Sequence, residues 1–501
     1  MQTRIHQIYR PVGERKHDFQ EVERKFSEAE IRDQMRRCHN CGIPFCHGAG
    51  CPLFNQIPDF NAAAAVGDWQ EAYAILAETS FFPEFTARVC PALCEGACCC
   101  GVDGEAVMVR QCEKKIVETA FAAGFVQPVI PARRNGRKIA VIGSGPAGLF
   151  AAEGLNRAGF TVTVFEANHR PGGLLRYGIP DFKLAKRVLD RRIEIMEREG
   201  IVFTADTRIG ADISGSYLRR NFDAVVLAIG TPAARDLAVP GRNFAGIHFA
   251  LEFLQGQNRV NSGELAEPPV SAADKDVLII GGGDTGSDCA GTAIRQGARS
   301  VRQIEIMPQP PEERSASTPW PAWPWMLRTS SSHMEGCLRE WNVASDRFTG
   351  EDGAVTGVEV HEVRWEFSPE GRPLKPVAVE NSARRIPADL VLLAMGFTGV
   401  PRGGLVEELQ LELTPRGAVI ADPARHIYAV GDCANGATLV VRAMADAAKT
   451  VKTITEEIRS LRSANVAVSA TISSSPNRVK RSIPPPFPGS ATAASESAAT
   501  A

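Results

Sequence analysis

The stretch KIAVIGSGPAGLF, Lys138–Phe150, reads as strand, glycine-rich turn and helix in direct succession. Ile139–Ile142 is an unbroken apolar run, the pattern of a short strand buried on both faces. Gly143-Ser-Gly145-Pro146-Ala147-Gly148 follows, then a segment with Leu149, Ala152 and Leu155 on one helical face. That context turns a bare G-x-G-x-x-G into a dinucleotide site. Gly143 makes the tight turn, Gly145 lets backbone approach a pyrophosphate, and Gly148 lets helix pack on strand. The helix start, with Pro146 first, offers unpaired N–H groups from Ala147 onward to phosphate. The next apolar run, Phe160–Phe165, ends in Glu166, where a carboxylate suits a ribose hydroxyl.

The theme returns at DVLIIGGGDTG, Asp276–Gly286. Val277–Ile280 is the strand, and Gly281, Gly282, Gly283, Asp284, Thr285 and Gly286 form the turn and helix start. A helix is expected through Ala290–Arg295. The following strand, Ser300–Ile306, carries Glu305 near its end. One such unit is a weak signal, because glycine also serves ordinary turns. Two, each followed by an acid, point to two dinucleotide sites in an α/β fold. If Glu305 faces the second nucleotide, it would bond a free 2′-hydroxyl and repel a 2′-phosphate, favouring NADH over NADPH. Arg302 and Arg314 lie close enough in sequence to oppose that reading, as would a solvent-facing Glu305.

The chain has 501 residues, room for two or three domains of about 150 residues each. Apolar residues make up 44% and the net charge is −2, so no bulk attraction to nucleic acid or an anionic membrane is expected. No apolar run approaches the roughly 18 residues that span a bilayer. The polar start, MQTRIHQIYRPVGERKHDFQ, has no signal-peptide core. The expectation is a cytoplasmic chain whose thiols stay reduced. Its thirteen cysteines then suit metal better than a disulfide framework.

Phe19–Met35 is helix-like and precedes Cys38-x2-Cys41-x4-Cys46-x4-Cys51-Pro52. A helical stretch, Ala62–Leu76, separates this from Cys90-x3-Cys94-x3-Cys98, with Cys99, Cys100 and Cys112 beyond. A Cys-Pro ending is typical of ferredoxin runs, where the last cysteine serves the other cluster. Seven thiolates in two groups are one short of the eight that two four-iron clusters need. Structural zinc also takes C-x2-C, but usually pairs two such knuckles, and one is present here. Cys99, Cys100 and Cys112 read equally well as small buried hydrophobes.

PARRNGR, residues 131–137, is a linker. Arg170–Pro180, RPGGLLRYGIP, contains Gly173, Leu174 and Arg176, and its glycines would let backbone approach a flat ligand. DAVVLAIG (Asp223–Gly230), DLVLLAMG (Asp389–Gly396) and HIYAVGDC (His426–Cys433) are further strands, the last closed by Gly431 and Asp432. Pro308–Pro324, rich in Pro and Trp, is an ordered loop expected on the surface of the second unit. Val355–Phe367 alternates as a hairpin strand, and residues 437–458 form a helix. Beyond Leu461, Ser, Ala, Thr and Pro dominate, and disorder is expected.

Taken as a set, CHNCGIPFC (Cys38–Cys46), FPEFTARVCPALCEG (Phe82–Gly96), the two glycine turns, RPGGLLRYGIP and AVGD (Ala429–Asp432) are specific. From about Arg36 to about Ile458 the chain resembles the small (β) subunit family of glutamate synthase. Related modules include the N-terminal half of dihydropyrimidine dehydrogenase. The resemblance implies an N-terminal helical iron–sulfur domain (1–130), an FAD-binding domain (131–247 and 397–462) and, inserted in it, an NAD(P)-binding domain (248–396). A disordered tail (463–501) completes the division. FAD would occupy Gly143–Gly148, with Glu166 on its ribose, Gly173, Leu174 and Arg176 beside it, and Gly431 and Asp432 at its ribityl or phosphate end. NAD(P)H would occupy Gly281–Gly286, with Glu305. Two 4Fe-4S clusters are implied, one on Cys38, Cys41, Cys46 and Cys98. The other would sit on Cys51, Cys90, Cys94 and a non-cysteine ligand matching Glu113, with Cys112 adjacent as a substitute. The gap from Cys46 to Cys51 is one residue longer than relatives often have, an insertion placed at Gly48–Gly50.

The resemblance also implies a role: reductant input to glutamate synthase. NAD(P)H gives up two electrons at once and clusters take one at a time, so a flavin must lie between them. A separate large subunit would make glutamate from glutamine and 2-oxoglutarate. The cofactors carry the reactive atoms, so no residue is assigned as catalytic. Neither dinucleotide unit holds a C-x-x-C, and Cys289 and Cys433 stand alone, which argues against a dithiol relay. Two alternatives stand beside this. The same module could feed a ferredoxin, a pyrimidine reductase or a sulfur-metabolising enzyme, or the cysteines could hold zinc in a redox-sensing scaffold.

Overall fold

The structure, a computed structural model, describes residues 3–368 and 373–473, with side chains as far as 458. Lys138–Ile142 is the central strand of a five-stranded parallel sheet. Its order is Ile427–Ala429, Ala224–Leu227, Lys138–Ile142, Thr161–Phe165, Val202–Thr204. Asp276–Ile280 is central in a second five-stranded parallel sheet, ordered Ile247–Phe249, Leu390–Leu393, Asp276–Ile280, Ser300–Glu305, Leu338–Trp341. Every strand of the second sheet falls in sequence between strands of the first. The fold is therefore one dinucleotide-binding unit inserted in another. The strand Ile247–Phe249, which straddles the boundary expected at 247, belongs to the second sheet.

Apolar residues on both faces explain why these strands are central. In the second sheet, Val277 and Ile279 pack with Phe253, Leu254, Cys289 and Ala290 of the flanking helices. Leu278 and Ile280, pointing the other way, pack with Val343, Phe348, Val358 and Val360 of an antiparallel hairpin. That hairpin pairs Val343–Glu351 with Ala354–Phe367, as the alternation from Val355 predicts. In the first sheet Ala140, Ile142, Val225 and Leu227 pack on Leu218, Leu405 and Leu409.

The cysteine-bearing N-terminal part is helical, with two departures from the sequence reading. The helix expected over Phe19–Met35 covers only Glu28–Met35, because Ser27 and Glu30 form a reciprocal capping box that starts it there. Upstream, Glu21 and Glu23 are in ion pairs with Arg88, Arg110 and Lys114, and Tyr9 bridges Glu23 in extended pairing. The stretch Ala62–Leu76 is two helices, Ile57–Val66 and Trp69–Thr79. Gly67, at φ +95°, ends the first and the Asp68 side chain caps the second. At the other end the helix Val440–Ser473 runs past the boundary expected at 462. Residues 474–501 of the expected disordered tail lie outside the described residues.

The Pro- and Trp-rich loop does more than cover the second unit: it lies against the cysteine-bearing part. Arg314 donates to the carbonyls of Thr318, Ala322 and Gly96, the last at 2.8 Å. The Trp320 ring sits 4.5 Å from that of Phe45. Trp323 fills the space over Gly96, where a Cβ would meet it at 2.9 Å.

Buried charge ties the N-terminal part to the first sheet. Arg192, on the helix Lys186–Arg198, reaches Glu84 of the helix Pro83–Val89 at 2.6 Å, with side-chain exposures of 2% and 0%. Around them Arg88 pairs with Glu21 and Glu118, and Arg191 with Glu118. Removing one partner strands the other in a low dielectric. Glu84→Ala is expected to cost about 3–5 kcal/mol in urea unfolding. Adding Arg192→Leu should recover most of that loss.

Candidate functional site

At the first glycine turn the backbone is packed too closely for side chains. Gly143 has φ +99°, and a Cβ there would lie 2.5 Å from the Ala228 carbonyl. A Cβ on Gly148 would fall on the Gly143 carbonyl and 3.1 Å from Ala228 Cβ. Gly145 meets nothing within 4 Å and starts the helix Pro146–Arg157, with Pro146 in its first turn. Open backbone beside free helix N–H groups is the arrangement that accepts a phosphate.

Glu166 is buried just beyond this turn and receives four donors from the chain itself. Ser144 gives its N–H at 3.1 Å and its hydroxyl to Oε2. Asn168 gives its N–H at 2.8 Å and its amide at 2.7 Å to Oε1. A carboxylate has about four acceptor positions. A ribose hydroxyl would therefore have to take the place of one of these donors. The Ser144 oxygen also accepts the Gly172 N–H at 2.8 Å, which joins the RPGG segment to the turn. Ser144 and Asn168 were not legible as site residues, since the motif marks only the glycines and the acid.

The remaining first-site candidates converge here too. A Cβ on Gly173 (φ +50°) would meet Gly145 Cα at 2.7 Å, and one on Gly431 (φ +68°) would meet Ala147 Cβ at 2.6 Å. Leu174 is exposed. Arg176 is buried, donating to Pro171 O and pairing with Asp190 at 2.6 Å, while its Nη1 has no partner. The Gly431 N–H is held by Asp446 at 2.8 Å, and Asp432 accepts the Thr438 N–H at 3.1 Å. Burial pushes the Asp432 carboxyl up to about 6, against the Thr438 hydrogen bond, which pulls it down.

The second turn repeats the close approach. A Cβ on Gly281 (φ +122°) would fall on the Ala394 carbonyl, and Gln303 donates to Gly281 O at 2.7 Å. Glu305 lies against the turn, accepting the Gly282 N–H at 2.5 Å and the Met307 N–H at 2.9 Å. Gly283 faces open space ahead of the helix Asp284–Arg295, which Asp284, Thr285 and Gly286 begin. The two arginines that could oppose Glu305 are engaged elsewhere, Arg302 with Glu340 at 2.9 Å and Arg314 with the Trp-rich loop.

The thiols fall into two neighbourhoods. Cys46 is pushed up to about 12 by burial and then by Cys98, Cys38 and Cys41. Cys51 is also pushed up to about 12, by burial and then by Glu113, with Cys90 a smaller influence. Cys94 is raised by burial, with Glu113, Glu95, Cys51 and Cys90 beside it. Cys99 and Cys100 share the first neighbourhood, Cys99 beside Cys41 and Cys100 beside Cys98, while the second holds Cys51, Cys90, Cys94 and Glu113. Glu113 is buried, held by Asn55 Nδ2 at 3.0 Å, and neighbours all three thiols of its set. Cys112, one residue before Glu113, is buried, with Glu95, Glu113 and Cys38 acting on it. Cys46 and the four residues before Cys51 form a π turn, Cys46–Gly50, closed by Cys51 N–H on Cys46 O at 2.9 Å. Among the described residues no three His, Cys, Asp or Glu side chains gather as a single metal ion requires. A thiolate-rich, mostly buried donor set fits an iron–sulfur cluster, which neutralises thiolates that burial alone disfavours.

A pH prediction follows for Asp432. Its carboxyl, raised from 3.8 to about 6, stabilises the fold fully below pH 3.8, and that contribution is lost as pH rises through 6. Asp432→Asn should therefore raise the unfolding free energy of flavin-depleted protein at pH 7.5 by about 1–2 kcal/mol after allowing for partial exposure, read as a higher Tm. The gain should vanish near pH 4.

Comparison with known proteins bears on this arrangement. Residues 15–125 match the family described as dihydropyrimidine dehydrogenase domain II, 4Fe-4S cluster. Residues 137–319 and 346–447 match the pyridine nucleotide-disulphide oxidoreductase family. The glutamate synthase [NADPH] small chain of Mycobacterium tuberculosis is 48% identical over 447 residues, 87% of this chain and 90% of that protein. That of Bacillus subtilis is 37% identical over 448 residues, 85% of this chain and 91% of that one. Glutamate synthase [NADH] of Saccharomyces cerevisiae is 40% identical over 462 residues, which are 89% of this chain but 21% of that protein. Among solved structures, Mycobacterium tuberculosis FprA in complex with NADPH shares the fold at TM-score 0.53 and 19% identity, covering 66% of this chain and 86% of that one. No helix among the described residues is long and apolar enough to cross a membrane. The chain is an oxidoreductase with an iron–sulfur domain joined to a pyridine-nucleotide and flavin unit, and it belongs to the glutamate synthase small chain family.

Proposed function

We propose that this chain is the electron-input subunit of glutamate synthase, taking a hydride from NADH and delivering single electrons to a large subunit that forms glutamate. The observation that carries the reading is the joining, in one chain, of two glycine turns in parallel sheets to two separate thiolate neighbourhoods. Residues 1–130 form the cluster domain, 131–247 with 397–462 the flavin domain, and 248–396 the nicotinamide domain. Gly143–Gly148, Glu166, Gly173, Leu174, Arg176, Gly431 and Asp432 hold FAD. Gly281–Gly286 and Glu305 hold the nicotinamide dinucleotide. Cys38, Cys41, Cys46 and Cys98 hold one 4Fe-4S cluster, and Cys51, Cys90, Cys94 and Glu113 the other. The flavin, when bound, supplies the step between two-electron and one-electron transfer. The chain's part is to bind and orient: helix N–H groups at phosphate, Glu166 and Glu305 at ribose, Asp432 at the ribityl or phosphate end.

The purified chain should contain iron, sulfide and FAD, and should oxidise NADH with an artificial dye while forming no glutamate alone. Native extract should yield the large subunit in a pull-down. Near-stoichiometric zinc without iron or flavin absorbance would overturn the assignment, as would glutamate formation by the isolated chain.

The preference for NADH rests on Glu305. Its carboxylate lies on the Gly282 N–H with no free arginine opposing it among the two nearby in sequence. The names of the relatives divide, NADPH for the two bacterial proteins and NADH for the yeast one. kcat/KM should be at least about tenfold higher for NADH, equal to about 1.4 kcal/mol, and Glu305→Ala should narrow the ratio. Preference for NADPH by the unaltered chain would refute this use of Glu305.

A further inference from the structure

Asn61 lies on the helix Ile57–Val66, between the apolar core positions Phe60 and Ala64. Its side chain is fully buried, neither Nδ2 nor Oδ1 has a nitrogen or oxygen partner in the protein, and its amide is close enough to the Cys38 sulfur to pull that thiol down. Asn55 and Gln34 nearby are paired, Asn55 donating to Glu113 and Gln34 to the Thr3 carbonyl, and of the buried amides of this region Asn61 alone has both ends open. Buried polar groups are nearly always satisfied, so an amide without a nitrogen or oxygen partner signals an acceptor of another kind. The group beside Asn61 is the Cys38 sulfur. A residue chosen only to fill this space would be apolar, as its neighbours are.

We propose that Asn61 Nδ2 donates a hydrogen bond to the Cys38 thiolate or to an adjacent inorganic sulfide of the cluster on Cys38, Cys41, Cys46 and Cys98, and so raises that cluster's reduction potential. This rests on the cluster assignment above. Reduction adds one negative charge to the cluster and its thiolates. A fixed N–H dipole aimed at a sulfur stabilises the more negative state, and the low dielectric around it magnifies the effect. Asn61 ligates nothing; it acts through the sulfur, as partners of metal ligands do. It would make this cluster a better electron acceptor.

The test is a redox titration of the full chain, followed by EPR. Asn61→Leu removes the donor at similar volume. Iron and sulfide should stay at wild-type levels, while one cluster's midpoint moves down. At a fixed potential the reduced-to-oxidised ratio should fall about tenfold, a shift of about 59 mV for one electron. An unmoved midpoint in a variant with full iron overturns the proposal. If Asn61→Leu loses iron, the wild-type chain decides the matter through pulsed EPR with asparagine labelled by 15N in the side chain. A hyperfine coupling to that nitrogen supports the hydrogen bond, and its absence from the reduced cluster overturns it. A wild-type chain without iron would defeat the cluster assignment itself, a different failure.

Discussion

Glu84 and Arg192 are buried together, and neither charge can stay in the interior without the other. That requirement fixes where the helix Pro83–Val89 meets the helix Lys186–Arg198. Pro83–Val89 leads directly into Cys90, and Lys186–Arg198 flanks the first parallel sheet. The pair therefore holds the helix that leads into Cys90 against the helix between the strands Thr161–Phe165 and Val202–Thr204 of the first sheet. Electron transfer falls steeply with distance, so a redox module needs this mounting to be rigid. Arg88, Arg191, Glu21 and Glu118 extend it into a network that a single rotamer change cannot release.

A second tie runs from the other sheet. The loop after Glu305 reaches the cysteine-bearing part through Arg314 on Gly96 and Trp320 on Phe45. Gly96 and Phe45 neighbour Cys94 and Cys46 in sequence. Both dinucleotide units thus hold the cysteine-bearing part, one through Glu84 on the helix that leads into Cys90, the other through Gly96 and Phe45. Within each sheet the central strand owes its place to a different contact. There a glycine-rich turn brings backbone so close that a Cβ on Gly143, Gly148, Gly281 or Gly286 would collide with a carbonyl.

Much of this was legible residue by residue. Strand, turn and helix at Lys138 and Asp276 are local patterns with strict steric demands, and both appear where the glycines require. The thiols could be counted from the sequence, but their division into two sets came through the resemblance, because loops of several residues permit many pairings. The helix expected over Phe19–Met35 failed at its first half. Glu21 and Glu23 there are claimed by distant arginines and Lys114, which outweighs a weak helical preference. The loop Pro308–Pro324 was placed on its own unit, since nothing in its composition names Gly96 or Phe45 as neighbours.

The sequence by itself determined the two nucleotide-binding turns, the order of the units and the supply of thiolates. These follow from periodicity, from glycines that no other residue can replace, and from composition, all of which act over a few neighbouring residues. Tertiary structure decided the rest: that Glu166 is already saturated by Ser144 and Asn168, that the buried Glu113 lies near Cys51, Cys90 and Cys94, and that Asn61 is buried beside Cys38 with no nitrogen or oxygen partner. Each depends on which distant segments meet when the core closes. Burial then gives an unpaired charge or amide a cost that the linear chain does not reveal.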